Sequence, residues 1–118
     1  MERVASITAP NPLEPAAVAA LVSLFGDRLR RDEESLSTWG RDWTRSFEVA
    51  PSAVVFPNST EEVVALVQAA REYGFALVPS GGRTGLSGGA VAPAGEVVVS
   101  FDRMNRILEF DSAGQLLR

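Results

Sequence analysis

Apolar residues follow a helical spacing near the start of the chain. Residues 1–12 show no such pattern, and we expect them to form an irregular lead-in. A proline at position 15 then suits the first turn of a helix, and apolar side chains recur every three or four positions after it. They are predicted to form the buried face of a first helix: Val18, Leu21, Val22, Phe25 and Leu29.

Between residues 30 and 50 no apolar period is sustained, and no regular element is predicted there. This segment holds both tryptophans, Trp39 and Trp43, which we expect to seal a small core or a subdomain seam rather than to flank a ligand. Asp42, with Arg41 and Arg45, is expected to form a surface or capping cluster, because exposed pairs of this kind are common.

A buried strand followed by a capped helix is the clearest pattern in the chain. The strand is the apolar run 53–56, which Pro57 closes. Ser59 stands three residues before Glu62, so that each side chain can bond a free N–H group at a helix start. Helical spacing then continues up to Gly74, which stands where a helix C-cap belongs. The predicted buried face of this helix consists of Val63, Leu66, Val67, Ala70 and Tyr73.

A second apolar strand is predicted at residues 75–78, ended by Pro79. Strand, helix and strand in this order predict a βαβ unit, in which the two strands are parallel. A glycine-rich loop follows, and the apolar run 97–101 predicts a third strand beyond it.

The last residues of the chain predict a hairpin. Strands are expected at residues 107–110 and 115–118, joined by a turn at Asp111–Gly114, and Asp102 and Asn105 are expected to organise the turn before them. Because an unpaired apolar strand is an unusual way for a domain to end, we expect the chain to be a piece of a longer protein.

Composition excludes several classes of function. With 118 residues, of which 46% are hydrophobic and 22% charged, the chain fits one globular domain. Without cysteine or histidine, it cannot form a disulfide, a thiolate or imidazole zinc site, or a nucleophile of the Ser-His-Asp or Cys-His type. The sequence shows no apolar run of membrane-spanning length and no signal peptide, so a cytoplasmic location is expected.

The charge gives no reason to expect nucleic acid as a partner. The formal net charge is −4, and all eleven positive charges are arginines. Nucleic-acid binding relies on a concentrated basic face. The densest basic cluster, at residues 28–31, is followed at once by the acidic run Asp32–Glu34, so we expect a solvated, self-compensating segment.

Five glycines fall within the nine residues from Gly81 to Gly89. Successive N–H groups in such a loop can point inwards and form a concave anion site, for which a pyrophosphate is the natural ligand. Each amide–phosphate bond is charge-assisted and contributes roughly 1.5–3 kcal/mol. Ser80 and Thr84 add hydroxyl donors, and Arg83 either adds a cation or faces solvent. A crossover loop without any ligand is the alternative.

The spacing of the glycines excludes two common phosphate-binding loops. The Walker loop requires a lysine, and the chain has none. The glycines do not fit the Rossmann spacing G-x-G-x-x-G, and the residues after Gly89 lead to a predicted strand rather than to a helix.

Four stretches of the chain together resemble one family. Residues 79–89 (PSGGRTGLSGG) resemble the pyrophosphate loop of the FAD-linked oxidases of the vanillyl-alcohol oxidase and p-cresol methylhydroxylase type. Residues 55–63 resemble the strand-to-helix entry of that family, and residues 100–107 resemble the strand and turn after its loop. Residues 40–44 (GRDWT) resemble its branch of D-lactate, glycolate and D-2-hydroxyglutarate dehydrogenases. The resemblance covers about Leu36 to Arg118.

The resemblance implies an α+β fold, that of the FAD-binding domain of the p-cresol methylhydroxylase type. In this fold FAD lies between a small parallel subdomain and a larger antiparallel one. Residues 1–50 would form an N-terminal helix and lead-in segment. Residues 51–118 would form the N-terminal part of the FAD-binding domain, namely the βαβ subdomain and the first strands of the antiparallel subdomain.

The resemblance also assigns the cofactor contacts. Main-chain N–H groups of residues 81–85 would bind the pyrophosphate, with the neighbouring residues of the loop completing the site. Some family members tether FAD through a histidine in this loop; this chain has none, so noncovalent FAD is expected. The residues assigned to cofactor binding are Pro79, Ser80, Gly81, Gly82, Arg83, Thr84, Gly85, Gly88 and Gly89.

For the activity, the resemblance implies oxidation of a small-molecule D-2-hydroxy acid: D-lactate, glycolate or D-2-hydroxyglutarate. Electrons would pass to an acceptor, through which the protein could lie at the periphery of a membrane. No catalytic residue and no metal ligand is assigned. Two alternatives stay open: a free-standing nucleotide-binding module or split-enzyme subunit, and an interaction domain that has lost its ligand.

Overall fold

A four-stranded sheet in the order β1-β2-β4-β3 forms the centre of the computed structural model, which describes residues 13–118. The predicted lead-in at residues 1–12 lies outside the described residues. β1 is antiparallel to β2, whereas β2 and β3 are both parallel to β4. The strands of this sheet are β1 (Leu29–Arg30), β2 (Ala53–Val55), β3 (Leu77–Ser80) and β4 (Val97–Ser100).

Helices cover both faces of the sheet. Along β2 and β4, alternate side chains point to opposite faces, so Val55 and Val99 pack with the first and third helices while Val54 and Val98 lie on the face of the second. This arrangement buries the sheet as a middle layer. The helices are α1 (Pro15–Phe25), α2 (Glu33–Trp39) and α3 (Thr60–Tyr73).

The predicted βαβ unit is confirmed, but with another strand between its two parallel strands. β2 and β3 do not pair with each other; each pairs with β4. Ser80 and Ser100 are register partners at the ends of β3 and β4. The loops that follow these two strands therefore leave the sheet from the same edge.

The limits of β3 differ from the prediction. The strand begins at Leu77 rather than at Phe75, and it includes Pro79, which was expected to end it. β3 is an edge strand that pairs with β4 alone, so the missing N–H of Pro79 interrupts no ladder on the open side.

The buried faces of α1 and α3 are narrower than predicted. Val22 is 52% exposed and Val67 is 44% exposed, although both were predicted to be buried. The sides of the helices that face the core are centred on Leu21 and Leu66, which are buried as predicted. Leu29, expected on the helix face, lies in β1. At α3, the Ser59 hydroxyl accepts the N–H of Glu62, which is one half of the predicted reciprocal cap. The other half is not observed, because the Glu62 carboxylate pairs with Arg28 at 2.7 Å rather than with the N–H of Ser59. Gly74 caps the end of the helix in the left-handed conformation, as predicted.

α2 lies where no regular element was predicted. Its seven residues span too few turns for an apolar period to repeat. The available signal was its cap: a carboxylate oxygen of Asp32 accepts from the N–H of Ser35 at 3.0 Å and from its hydroxyl at 2.8 Å. Arg30 pairs with the other oxygen of Asp32, as expected for a self-compensating segment.

The terminal hairpin forms a separate two-stranded antiparallel sheet, β5 (Phe110–Asp111) with β6 (Leu116–Leu117). The predicted turn is confirmed, since the Asp111 carboxylate accepts the N–H groups of Ala113 and Gly114. The strand predicted at 107–110 begins only at Phe110. The apolar side chains of this hairpin are exposed, as expected for the first strands of a second sheet.

Protonation of the Asp32 cap gives α2 a pH dependence. Hydrogen bonds from the backbone and hydroxyl of Ser35 lower the pKa of Asp32 to about 2. Because this folded-state pKa lies below the unfolded value, the stabilisation is present above pH ~4 and is lost as the pH falls towards ~2. Replacing Asp32 with alanine should therefore lower the melting temperature at neutral pH and should have little effect near pH ~2.

Asp27→Ala is the matched control, because Asp27 is also an exposed carboxylate beside a helical turn but caps no α-helix. Thermal melts followed by circular dichroism across the acid range would measure both variants. A deficit of Asp32→Ala that stays constant down to the lowest pH would contradict a role for the ionised cap.

Candidate cofactor-binding loop

The glycine-rich loop leaves the sheet at the end of β3 and returns as β4, so it leads into a strand, as predicted, and not into a helix. The segment that follows α2 holds it in place. The N–H of Trp43 donates to the carbonyl of Gly85 at 3.0 Å, and the N–H of Ala92 donates to the carbonyl of Gly40 at 3.0 Å. The loop is therefore anchored at its middle and at its end, while its first residues stay exposed.

Three glycines of the loop are not required by the fold itself. A Cβ built on Gly81 or Gly89 would meet no atom of residues 13–118 within 4 Å, and one on Gly82 would lie 3.9 Å from the Thr84 hydroxyl, an ordinary contact. None of the three has a backbone in the left-handed region. A side chain at these positions would project into open space over the exposed main chain. Their lack of side chains leaves the N–H groups accessible to a ligand.

Gly88 is different, because the fold requires it. Its φ of 81° lies in the left-handed region, and a Cβ there would lie 2.5 Å from Cε2 of Phe47. The close packing of Phe47 on the loop backbone thus depends on a hydrogen at this position. Gly88 therefore determines the conformation of the loop through its close contact with Phe47.

Two buried polar atoms near the loop have no hydrogen-bond partner within residues 13–118. One is the hydroxyl oxygen of Ser80, which lies at the end of β3. The other is Oδ2 of Asp42, whose Oδ1 accepts the N–H of Thr44 at 2.8 Å. A Cβ on Gly85 would lie 3.7 Å from this Oδ2. Unsatisfied polar atoms are uncommon in folded proteins and often mark a site that binds something further.

Asp42 is buried, which contradicts the surface alternative for its cluster, and Trp43 is exposed and seals no core among the described residues, so a subdomain seam at Trp43 stays a prediction. Asp42 is only 6% exposed because the loop lies over it, whereas the Trp43 side chain is 68% exposed. Only Trp39 seals a core, packing edge-on against Phe56 with ring centres 5.1 Å apart. Burial here depends on the contact of Gly85 with Trp43, which the local sequence does not reveal.

The side chain of Arg83 turns back towards the protein. Its Nη1 donates to the carbonyl of Gly81 at 3.0 Å and to Oδ1 of Asp102 at 3.2 Å. Its guanidinium carbon also lies 5.7 Å from the ring centre of Trp39. The charge is therefore already paired, and the side chain neither extends from the loop as a free cation nor points into solvent.

Asp102 does more than organise a turn. Its Oδ2 accepts the indole N–H of Trp39 at 2.9 Å, while its own N–H donates to the hydroxyl of Ser100. Burial alone raises the pKa of Asp102, but hydrogen bonds from Trp39 and Arg83 outweigh it and hold the pKa below the ordinary value. The carboxylate is thus ionised at neutral pH. Sequence reasoning missed this role because its partners lie far away in the chain.

A groove also runs along residues 31–51. Its walls come from α2 and from the segments on either side of it, and no glycine of the loop lines it. Size alone does not identify a binding site. The glycine-rich loop is the stronger candidate because its exposed main-chain donors suit an anion, and in parallel α/β sheets ligands bind beside the carboxyl ends of the strands.

These features fit a diphosphate. Residues 81, 82, 84 and 85 are exposed, the Thr84 hydroxyl lies within the same stretch, and the open space over Gly81, Gly82 and Gly89 admits close approach of a ligand to the main chain. The charge of Arg83 in the loop is neutralised by Asp102 from the turn after β4.

Among residues 13–118, none of the helices has both the length and the apolar character that a membrane span requires.

Comparison with known sequences gives matches to proteins named D-2-hydroxyglutarate dehydrogenase and D-lactate dehydrogenase. A D-2-hydroxyglutarate dehydrogenase of Stutzerimonas stutzeri (strain A1501) is 54% identical over 99 residues, which cover 83% of this chain and 21% of the relative. A mitochondrial D-2-hydroxyglutarate dehydrogenase of Arabidopsis thaliana is 34% identical, covering 96% and 21%. A D-lactate dehydrogenase of Anaerostipes hadrus is 38% identical, covering 75% and 18%. The chain spans about a fifth of the length of these relatives.

Comparison with solved structures gives the same fold. The 4-ethylphenol oxidase from Gulosibacter chungangensis matches with a TM-score of 0.73 and 32% identity, over 90% of this chain and 22% of that chain. p-Cresol methylhydroxylase matches with a TM-score of 0.71 over 87% of this chain and 22% of its own. At 23% identity this second match shows the fold alone.

The predicted resemblance and the α+β fold of the p-cresol methylhydroxylase type are thereby confirmed. The residue assignments of the loop and the division of the chain at residue 50 stay predictions. Residues 51–118 match a family described as FAD binding domain. Because this match covers more than half of the chain, the protein belongs to the FAD-binding domain family.

Proposed function

We propose that the loop from Ser80 to Gly89 binds the pyrophosphate of FAD through its main-chain N–H groups. The observation that carries the proposal is the open space over Gly81, Gly82 and Gly89, three glycines that the fold does not require. A loop that only connected β3 to β4 would tolerate side chains there. A ligand that approaches the backbone closely would not.

Each assigned residue has a place in this proposal. Residues 81–85 and Gly89 offer N–H groups, Ser80 and Thr84 offer hydroxyls, and Gly88 keeps the loop in shape against Phe47. Pro79 fixes the strand end from which the loop departs. FAD would be held noncovalently by this segment, since the chain has no histidine or cysteine to form a tether.

We further propose that the full-length protein oxidises a small D-2-hydroxy acid. Bound FAD supplies the two-electron redox chemistry. This chain's residues bind and orient the dinucleotide, and we assign none of them to catalysis. The names of the relatives support D-2-hydroxyglutarate or D-lactate as the substrate, and glycolate is the third candidate. The reaction also requires an electron acceptor.

A nucleotide-binding module or split-enzyme subunit without activity of its own is the second candidate. A cytoplasmic location also stays a proposal, because the Arabidopsis relative is named as mitochondrial. Cell fractionation with an antibody against the chain would measure the location directly.

Visible absorption of the purified full-length protein tests cofactor binding. We expect the bands of an oxidised flavin, and we expect FAD to enter the supernatant when the protein is denatured with acid. A colourless protein that does not respond to added FAD would contradict the binding proposal. Flavin that stays with the denatured pellet would contradict noncovalent attachment.

Anaerobic mixing with candidate substrates tests the activity. D-2-hydroxyglutarate, D-lactate or glycolate should bleach the flavin absorption, with the L-enantiomers of the first two as matched controls. Bound flavin that none of these acids reduces would favour the module without activity of its own.

A further inference from the structure

Three distant segments meet in one polar cluster at the start of the glycine-rich loop. Arg83 comes from the loop, Trp39 from the end of α2, and Asp102 from the turn after β4. Asp102 accepts from the indole of Trp39 at 2.9 Å and from the guanidinium of Arg83 at 3.2 Å. The guanidinium also lies over the Trp39 ring, at 5.7 Å from its centre. Each member thus contacts the other two.

This cluster acts directly on the main chain of the loop. Arg83 adopts a φ of 58°, a left-handed conformation that few residues other than glycine take. From this position its Nη1 reaches back to the carbonyl of Gly81 at 3.0 Å. The side chain therefore spans the backbone of residues 81–83. Without the contacts to Asp102 and Trp39, this unusual backbone conformation of Arg83 would be less stabilised.

We propose that Arg83, Asp102 and Trp39 form a brace that fixes the main-chain conformation of the cofactor loop, with Arg83 as a positioning residue and not a phosphate ligand through its side chain. This inference rests on the proposed function, because it concerns how the same loop binds FAD. It revises only the side chain of Arg83, whose N–H remains among the phosphate donors.

The chemistry of each member suits a brace. A guanidinium is planar and can bond two acceptors while lying over an aromatic ring, which an ammonium group does not reproduce. The side chains of Arg83 and Asp102 are 24% and 38% exposed, so the ion pair itself contributes modestly and its geometry matters more. Trp39 is held by Phe56 on its other side, which gives the cluster a rigid support.

Replacing Asp102 with asparagine separates the brace from its main alternative by the sign of the effect. If Arg83 bound phosphate through its guanidinium, removing the Asp102 charge would release the cation and leave FAD affinity unchanged or higher. If the brace holds the loop, the same change loosens the N–H donors. We then expect the FAD affinity of the full-length protein to fall about tenfold, the effect of losing one charged hydrogen bond.

The partner variants complete a double-mutant cycle. Arg83→Gln should weaken FAD binding by a similar factor, and the Asp102→Asn/Arg83→Gln double variant should be little worse than either single variant, because all three remove the same contact. Trp39→Phe keeps the aromatic packing but loses the indole N–H, so a loss of a few-fold is expected. Arg71→Gln, which removes an arginine from the exposed face of α3, is the control and should bind normally.

Hydrogen–deuterium exchange of the FAD-free protein gives a readout that does not depend on the cofactor. Relative to the Arg71→Gln control, we expect Asp102→Asn, Arg83→Gln and Trp39→Phe to exchange faster at the amides of Trp43 and Phe101, which donate to the loop carbonyls of Gly85 and Ser80, with little change in β2 or α3. If the unmodified protein binds no FAD, the proposed function fails, and the exchange rates alone decide the brace.

Unchanged exchange in folded Asp102→Asn and Trp39→Phe variants would overturn the brace, as would unchanged or tighter FAD binding by Asp102→Asn. Effects of Asp102→Asn and Arg83→Gln that simply add in the double variant would also overturn it, because independent contributions mean that the two side chains do not act through one contact.

Discussion

Replacing Gly82 with valine is expected to weaken FAD binding strongly and to leave the fold of the protein intact. A Cβ at this position would lie 3.9 Å from the Thr84 hydroxyl and would meet nothing closer, and the backbone is outside the left-handed region. The valine side chain would instead fill the space over the exposed loop. If a diphosphate binds there, it can no longer reach the N–H groups beneath.

The expected loss is large. Each main-chain bond to a charged phosphate oxygen contributes roughly 1.5–3 kcal/mol, so losing two of them weakens binding by about a hundredfold or more. Titration of the FAD-free protein with FAD, followed by flavin fluorescence, measures the affinity. Thermal melting of the FAD-free protein should show no change, since no described contact is broken.

Ala76→Val is the matched control for this variant. Ala76 is exposed and precedes β3, so the same side chain is added at the other end of the strand from the loop. FAD should bind to this variant with unchanged affinity. Normal FAD binding by Gly82→Val would count against the assignment of the loop, whereas a lowered melting temperature would mean that the fold needs this glycine after all.

The elements that the sequence predicted well are those with signals in adjacent residues. β2 and α3 combine an apolar run, a closing proline and a Ser59 cap, and the structure confirms all of these signals within a residue or two. The hairpin turn likewise depends on a local contact, in which the Asp111 carboxylate accepts the N–H of Ala113. Such patterns need no distant partner, so the sequence alone reveals them.

The sequence predicted strand order and burial less well, because both depend on contacts between residues that are distant in the chain. Nothing near β2 or β3 indicates that β4 lies between them. Asp42 is buried because the glycine-rich loop lies over it, and the residues around it in the sequence do not reveal this. They also do not reveal that the side chain of Trp43 is exposed. The prediction missed the short helix α2 for a different reason. Its residues are too few for an apolar pattern to repeat, so only its N-terminal cap indicates the helix in the sequence.

For the candidate site, the sequence identified the loop but not its supports. The five glycines identify the loop, yet the sequence does not separate Gly82, which has open space around it, from Gly88, which packs on Phe47. The role of Arg83 was also hidden. The bond from Trp39 to Asp102, which supports it, joins residues 63 positions apart.

Replacing Gly88 with valine is expected to destabilise the folded protein itself. The new Cβ would lie 2.5 Å from Cε2 and 3.0 Å from Cδ2 of Phe47, so the ring must move. The φ of 81° adds a backbone cost of roughly 1–2 kcal/mol for a residue with a Cβ. With overpacking of roughly 1–3 kcal/mol, the free energy of unfolding should fall by about 2–5 kcal/mol.

Denaturant unfolding of the FAD-free protein measures this change, and Phe47→Ala serves as the control that separates its two causes. In the Phe47→Ala/Gly88→Val double variant the clash is removed but the left-handed backbone remains, so stability relative to Phe47→Ala alone should fall by only the backbone cost. Both Gly82→Val and Gly88→Val should bind FAD more weakly, but only Gly88→Val should also lose stability. If the two variants instead lost stability equally, the open space over Gly82 would not be serving a ligand, because the fold itself would then account for both glycines.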